Sequence, residues 1–220
     1  MMKIPILTRG RFDKRRPERH HGGVFSTMMF AMSFDTRAHN SAMTHFDQHD
    51  SFWLFGYGSL IWKADFAFIE RRPAYIEGWA RRFWQGSHDH RGTPELPGRV
   101  ATLTRQPDAL CYGMAYRIEP AVLAGLDLRE KNGYLRERVI IRFDGGRGEE
   151  GLIYLATEDN AAFLGAAPLK EMAAHIARAH GPSGSNREYL LNLASALAAQ
   201  GVHDEHVSAL AALLPAEGEY

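Results

Sequence analysis

Seven short apolar or alternating segments crowd residues 53 to 157 with one helical pattern among them, and this distribution constrains the fold most. The segments are Trp53–Phe55, Ala74–Trp79, Arg82–Gln85, Val100–Thr104, Cys111–Ile118, Leu135–Phe143 and Leu152–Thr157, each bounded by Gly, Pro or charged residues as strands are. In Leu135–Phe143 the alternation is clean, with Val139, Ile141 and Phe143 opposite Arg138, Ile140 and Arg142. Gly145-Gly146-Arg147-Gly148 supplies a hairpin loop into the last strand. Helical spacing covers Pro120–Glu130, where Pro120 suits a first turn, then Leu169–Ala179, Asn186–Ala199 and Asp204–Leu214. Strands in close succession followed by helices predict an α+β fold: a small antiparallel or mixed β-barrel with C-terminal helices packed outside it.

Composition sets the bounds of function. The 220 residues suffice for one domain with a sizeable core. Lys+Arg and Asp+Glu both total 26, so no net field points to nucleic acid or an acidic membrane surface. The single cysteine, Cys111, excludes an intrachain disulfide framework and suits a reducing, cytoplasmic setting. No apolar run approaches the ~18 residues needed to cross a bilayer. Residues 1–23 carry seven Lys/Arg against two Asp/Glu, with Pro5, Pro17, Gly22 and Gly23. They read as a flexible basic arm, and residues 1–50 as a disordered extension or a start placed too early, since Met28, Met29, Met32 and Met43 follow. The folded domain is expected over 51–216, and removal of 1–50 is expected to leave the chemistry intact.

Within that domain the decapeptide Trp53-Leu-Phe-Gly-Tyr-Gly-Ser-Leu-Ile-Trp62 stands out. An apolar strand runs straight into two glycines around a tyrosine. Glycine permits positive φ and close backbone approach, and successive N–H groups in such a turn can converge on an anion, with Ser59 adding a hydroxyl. A plain tight turn would have the same spacing. Leu123, Leu126 and Glu130 share one helical face, so a carboxylate ends an apolar stripe. Burial there would raise its pKa and make Glu130 a general acid/base; the competing reading is an ion pair with Arg129, Lys131 or Arg136 at a helix end. The loop from Gln85 to Gly98 is long and glycine- and proline-punctuated, as binding loops are. Its His88 and His90, and the pair His203 and His206, lack a third ligand at a telling distance and read as solvated loop histidines rather than a metal site. Cys111 has no adjacent base and reads as a small core residue. Ser185 or Asn186 is placed to cap the helix that follows.

Several ordered motifs go further. Phe55-Gly-Tyr-Gly-Ser-Leu-Ile-Trp62, Arg81-Arg-Phe-Trp-Gln-Gly-Ser87, Asp89-His-Arg-Gly-Thr-Pro94, Pro97-Gly-Arg-Val100 and Leu126-Asp-Leu-Arg-Glu-Lys-Asn-Gly-Tyr134 together resemble the ChaC-like γ-glutamylcyclotransferases. Gly181-Pro-Ser-Gly184, Asn186-x-Glu188-Tyr-Leu190 and Asp204-Glu-His206 continue the likeness in the same order. The resemblance covers about residues 52–214, departing at His88 and at Cys111-Tyr112-Gly113. It implies a small β-barrel flanked by helices and a lyase that cleaves glutathione into 5-oxoproline and cysteinylglycine. Glu130 is then the acid/base, and Leu54, Phe55, Gly56, Tyr57, Gly58, Ser59 and Leu60 bind the γ-glutamyl moiety. Tyr134 and Tyr154 are supporting hydroxyls, and Arg91 or Arg99 meets the glycine carboxylate. The resemblance implies no metal, no organic cofactor and no obligate protein partner. Other γ-glutamyl dipeptides or amines as substrates, and a non-catalytic regulatory role, remain open at this point.

Overall fold

A computed structural model describes residues 35–216. Five strands close into a barrel in the order β1 (Phe52–Gly56), β3 (Gly98–Ile118), β2 (Glu70–Ser87), β4 (Tyr134–Arg142), β5 (Gly148–Ala156), with β5 returning to β1. The β1–β5 pairing, Trp53↔Gly151 and Leu54↔Leu152, is parallel, whereas every other barrel pairing is antiparallel, so the barrel is mixed. β1 lies between two neighbours and is buried throughout, which explains an apolar run without alternation. β4 keeps the alternation expected of it: Val139, Ile141 and Phe143 are in the core while Ile140 is exposed. The glycine hairpin also forms, with Gly145 and Gly146 at positive φ and Gly146 N–H donating to Phe143 O at 3.0 Å.

Two pairs of expected short strands are each one long strand. Ala74–Trp79 and Arg82–Gln85 are both parts of β2, and Val100–Thr104 and Cys111–Ile118 are both parts of β3. Register irregularities lie between Glu77 and Trp79 and between Arg82 and Gln85; the break in β3 coincides with the first, and the break in β2, at Ala80-Arg81, falls in regular pairing between the two. The first absorbs the polar stretch between Arg105 and Leu110 as a bulge, so a continuous strand loses its sequence periodicity there.

The helices follow as expected. A 3-10 turn over Pro120–Val122 leads into α2 (Leu123–Arg129); α3 (Leu169–Arg178), α4 (Asn186–Ala199) and α5 (Glu205–Ala212) come at the C-terminus. Ser185 caps α4 by accepting from Glu188 N–H, and Asp204 caps α5 by accepting from Val207 N–H. A two-residue pairing, β6 (His180–Gly181) with β7 (Gly184–Ser185), forms the turn before α4.

The expected boundary at residue 50 needs correction. Residues 35–50 include α1 (Arg37–Ser41), bury Thr36, Asn40 and Phe46, and stack Phe46 on Phe52 at 4.5 Å. A buried aromatic and a buried amide give this segment the contacts that its charged, histidine-rich composition conceals. The basic arm of 1–23 lies, with the rest of residues 1–34, outside the described residues.

Candidate active site

Past Gly56 the chain turns over Tyr57 and Gly58 into a 3-10 turn, Ser59–Ile61. Its carbonyls are all engaged by the protein. Tyr57 O accepts from Arg81 Nε at 2.7 Å, Gly58 O from Ile61 N–H at 3.0 Å, Ser59 O from Trp62 N–H at 3.2 Å, and Leu60 O from Tyr116 Oη at 2.5 Å. Among the described residues no backbone carbonyl outside regular elements takes the N–H groups of Tyr57, Gly58, Ser59 or Leu60. With the acceptors consumed and the donors free, the turn offers positive polarity, as the first amides of a helical turn do.

The glycines serve by size. Neither Gly56 nor Gly58 has positive φ, contrary to one of the two roles expected of them. A Cβ on Gly58 would lie 2.9 Å from the Tyr189 hydroxyl, so close approach is the requirement. Arg81, 2 % exposed, anchors the turn from below through Tyr57 O, and is itself paired with Asp204 at 2.6 Å and bonded to Tyr112 O.

Glu130 sits at the C-cap of α2, its N–H bonded to Leu126 O at 2.8 Å, with Leu123 and Leu126 buried on the same face. Both the burial and the ion pair expected at this position are present. Arg129 Nε does pair with Glu130 Oε1, at 3.2 Å. Yet the carboxyl is pushed up to about 7, chiefly by burial, against the lowering influence of Arg129 and with help from the negative charges of Asp65 and Asp89. Arg129 is shared: it also binds Asp65 and donates to Ser59 Oγ at 3.0 Å, which ties the glycine turn to the end of α2. A carboxyl near 7 exchanges protons readily at neutral pH.

The segment after Glu130 is locked by Gly133 at φ +88, where an Asn160 side chain donates to Gly133 O at 2.9 Å and leaves no room for a Cβ. This places Tyr134, the first residue of β4, beside Glu130. Tyr57 Oη donates to Tyr154 O at 2.7 Å, and Tyr154 Oη donates to Asp127 Oδ1 at 2.7 Å. Asp127 is held in turn by buried Arg136 at 2.5 and 2.9 Å. Burial drives the phenols of Tyr57, Tyr134 and Tyr154 upward and that of Tyr189 to about 12, so all four stay neutral near pH 7.

A small pocket of about 60 Å³ is lined by Phe55 through Leu60, Ala101, Glu130, Tyr134, Tyr154 and Tyr189. Most of the expected site residues therefore meet in one place. Three do not. Leu54 is fully buried in β1 behind the turn. Arg91 binds Glu188 at 2.8 Å and Ser185 O at 3.2 Å, at the start of α4. Arg99 donates to Phe83 O at 3.0 Å and Gly165 O at 2.9 Å from a buried position. Arg91 ties the loop after β2 to the start of α4, Arg99 ties β3 to β2 and to the loop at Gly165, and neither lines the pocket.

The sequence reading missed Tyr189 and Ala101. Tyr189 comes from α4, which docks on β3 through Asn186, whose amide accepts from Arg99 N–H at 2.6 Å and donates to Arg99 O at 2.7 Å. Its ring meets Trp62 and Phe83 edge-on, and its hydroxyl accepts from Ala101 N–H at 3.3 Å. Its place on the buried face of an amphipathic helix made it look like any core aromatic. His206 also departs from expectation. It is a structural acceptor for Phe83 N–H at 3.1 Å, and burial lowers it to about 4. Cys111 is buried, and burial pushes its thiol up, in keeping with a core role. Among the described residues no group of three or more His, Cys, Asp or Glu is placed to hold a metal ion, and no helix is long and apolar enough to cross a membrane.

Known proteins are similar to this chain in sequence and fold. Γ-Glutamylcyclotransferase 2-3 of Arabidopsis thaliana is 44 % identical over 171 residues, covering 72 % of this chain and 86 % of that protein. Glutathione-specific γ-glutamylcyclotransferase 1 of Danio rerio is 41 % identical over 175 residues, covering 74 % and 89 %. The crystal structure of a selenomethionine-labelled γ-glutamyl cyclotransferase specific to glutathione from yeast superposes with a TM-score of 0.71 at 35 % identity, over 76 % of this chain and 96 % of that one. The ChaC-like protein family model matches residues 52–217, three quarters of the chain and the whole of the barrel with its helices, and the chain belongs to that family.

Proposed function

We propose that this chain is a γ-glutamylcyclotransferase that cleaves glutathione to 5-oxoproline and cysteinylglycine, with Glu130 as general acid/base. The observation that carries the reading is a carboxyl held near 7 in the same small pocket as a turn whose carbonyls from Tyr57 to Leu60 are engaged and whose N–H groups, among the described residues, meet no backbone carbonyl outside regular elements.

The chemistry follows from that placement. The α-amine of the glutamyl group arrives as an ammonium, and the Glu130 carboxylate takes one proton from it. The freed amine attacks its own γ-carbonyl carbon and closes a five-membered ring, so nucleophile and electrophile belong to one molecule and positioning does most of the work. Negative charge develops on the carbonyl oxygen, where N–H groups of Gly58 to Leu60 and neutral phenols can donate to it. The C–N bond to cysteinylglycine breaks as Glu130 gives that proton to the departing nitrogen; the ring nitrogen, which still carries two protons, passes one to the Glu130 carboxylate to leave the neutral lactam, and Glu130 releases it to the cysteinylglycine amine, which departs as an ammonium. Electrons and protons balance without redox, and the step needs no metal or cofactor because the substrate brings its own nucleophile.

The pocket lining includes no Lys or Arg for a glycine carboxylate, since Arg91 and Arg99 are occupied elsewhere. This supports a second reading in which other γ-glutamyl dipeptides are substrates too. Every proposed catalytic and binding residue lies within 51–216, and the single buried cysteine and the choice of substrate favour a cytoplasmic setting. Incubation with glutathione and with γ-glutamylalanine, followed by quantification of 5-oxoproline, tests both readings. Release from glutathione alone supports the first, and comparable release from both supports the second. No 5-oxoproline from either would refute the activity.

A further inference from the structure

We propose that residues 35–50 form a clasp that positions the catalytic segment, with Asn40 as a positioning residue acting through the backbone of Tyr134 and Arg136. The inference rests on the proposed cyclotransferase reading for its kinetic readout. The clasp lies outside the family match, which begins at residue 52.

β4 is the weak seam of the barrel. It pairs with β5 along its whole length, but with β2 only at Tyr75↔Arg142 and Ile76↔Ile141. The other edge of β4, from Tyr134 onward, therefore presents backbone donors and acceptors without a strand partner. Asn40, fully buried, meets this edge. Its Nδ2 donates to Tyr134 O at 3.0 Å and its Oδ1 accepts from Arg136 N–H at 2.9 Å. The C=O of one residue and the N–H two residues on point to the same side of a strand, so one side-chain amide fills both positions as a partner strand would.

The contact continues toward Glu130. Thr36 donates through its N–H, at 3.2 Å, and its hydroxyl, at 3.3 Å, to Lys131 O, and Asp35 bridges to Asn132 in antiparallel fashion. Residues 131, 132, 134 and 136 are thus held on one side by the clasp, and Gly133 on the other by Asn160. Glu130, immediately before this held span, and Tyr134, within it, both line the pocket. Phe46, stacked on Phe52 at the start of β1, pins the clasp at its far end. The earlier expectation that residues 1–50 are dispensable does not extend to 35–50.

The test uses the full chain with Asn40→Ala and, as a milder variant that keeps volume, Thr36→Val. Steady-state 5-oxoproline release and hydrogen exchange at the Arg136 amide are measured for each. A misplacement of the order of 1 Å at a reacting group lowers rate up to about 100-fold. We expect Asn40→Ala to lower kcat at least about tenfold with KM changed less than about twofold, and Arg136 exchange to accelerate. Thr36→Val should show the same pattern more weakly, and it carries the test if Asn40→Ala does not fold. A drop in melting temperature with kcat, KM and Arg136 exchange unmoved would overturn the inference and leave the segment a strap. If the wild-type chain releases no 5-oxoproline the proposed activity fails, while the exchange measurement still decides for or against the clasp.

Discussion

Glu130→Gln isolates the energetic consequence of keeping a carboxyl in this pocket. Glutamine keeps the shape and removes the charge, so the variant mimics the protonated wild type at every pH. The side chain is 18 % exposed, and its carboxyl rises from 4.5 to about 7 on folding. An acid whose pKa is raised in the folded state contributes most below its unfolded pKa, and that contribution is lost as pH rises through the folded value. At about 1.4 kcal/mol per pH unit, the loss is complete above pH 7 and amounts to about 3 kcal/mol. Glu130→Gln should therefore match the wild type at pH 4, gain less than about 1 kcal/mol at pH 5, and be more stable by about 3 kcal/mol at pH 8. Urea unfolding of both proteins at the three pH values reads this directly, and the difference between them cancels the titration of every other group. The same variant should release no measurable 5-oxoproline. A stability difference that stays flat from pH 4 to 8 would refute the account of Glu130, and so would an active variant.

Further consequences concern the turn and its neighbours. Gly58→Ala drives a methyl to 2.9 Å from the Tyr189 hydroxyl, on a ring packed between Trp62 and Phe83. Such overpacking costs about 1–3 kcal/mol, and thermal denaturation together with turnover should show the loss. Adding Tyr189→Phe removes the clashing oxygen, so the double variant should recover part of it, whereas strictly additive losses would sink the steric explanation. Asp65→Asn removes a charge that raises Glu130 and releases Arg129, whose charge lowers it. The acid limb of the kcat/KM profile should then move to lower pH; an unmoved or raised limb would contradict the proposed electrostatics.

Much of the site was legible in the residues because it is local. The stripe Leu123, Leu126, Glu130 follows from helical spacing alone, and the glycine turn from two glycines after an apolar strand. Other features escaped because their signal is not periodic. Tyr189 occupies the core face of α4 and differs from a packing residue only in what α4 is docked against. Arg91 and Arg99 looked like anion-binding arginines in a polar loop, and only the fold shows their guanidinium groups spent on Glu188 and on backbone carbonyls. The break within β3 came from an irregularity where residues 106–109 stand against Gly78 alone, which interrupts the alternation without ending the strand.

Sequence by itself determined the fold class, the family and the two central parts of the site, since hydrophobic period, turn residues and short ordered motifs are written along the chain. Tertiary structure decided which donors remain free, where the charges are spent, and what holds Glu130 in place. Those depend on pairings between distant residues. Asn40 meets β4 across more than ninety residues, and Arg81 reaches from β2 to the glycine turn and to Asp204. No local pattern encodes a partner at that distance; the closed barrel brings them together.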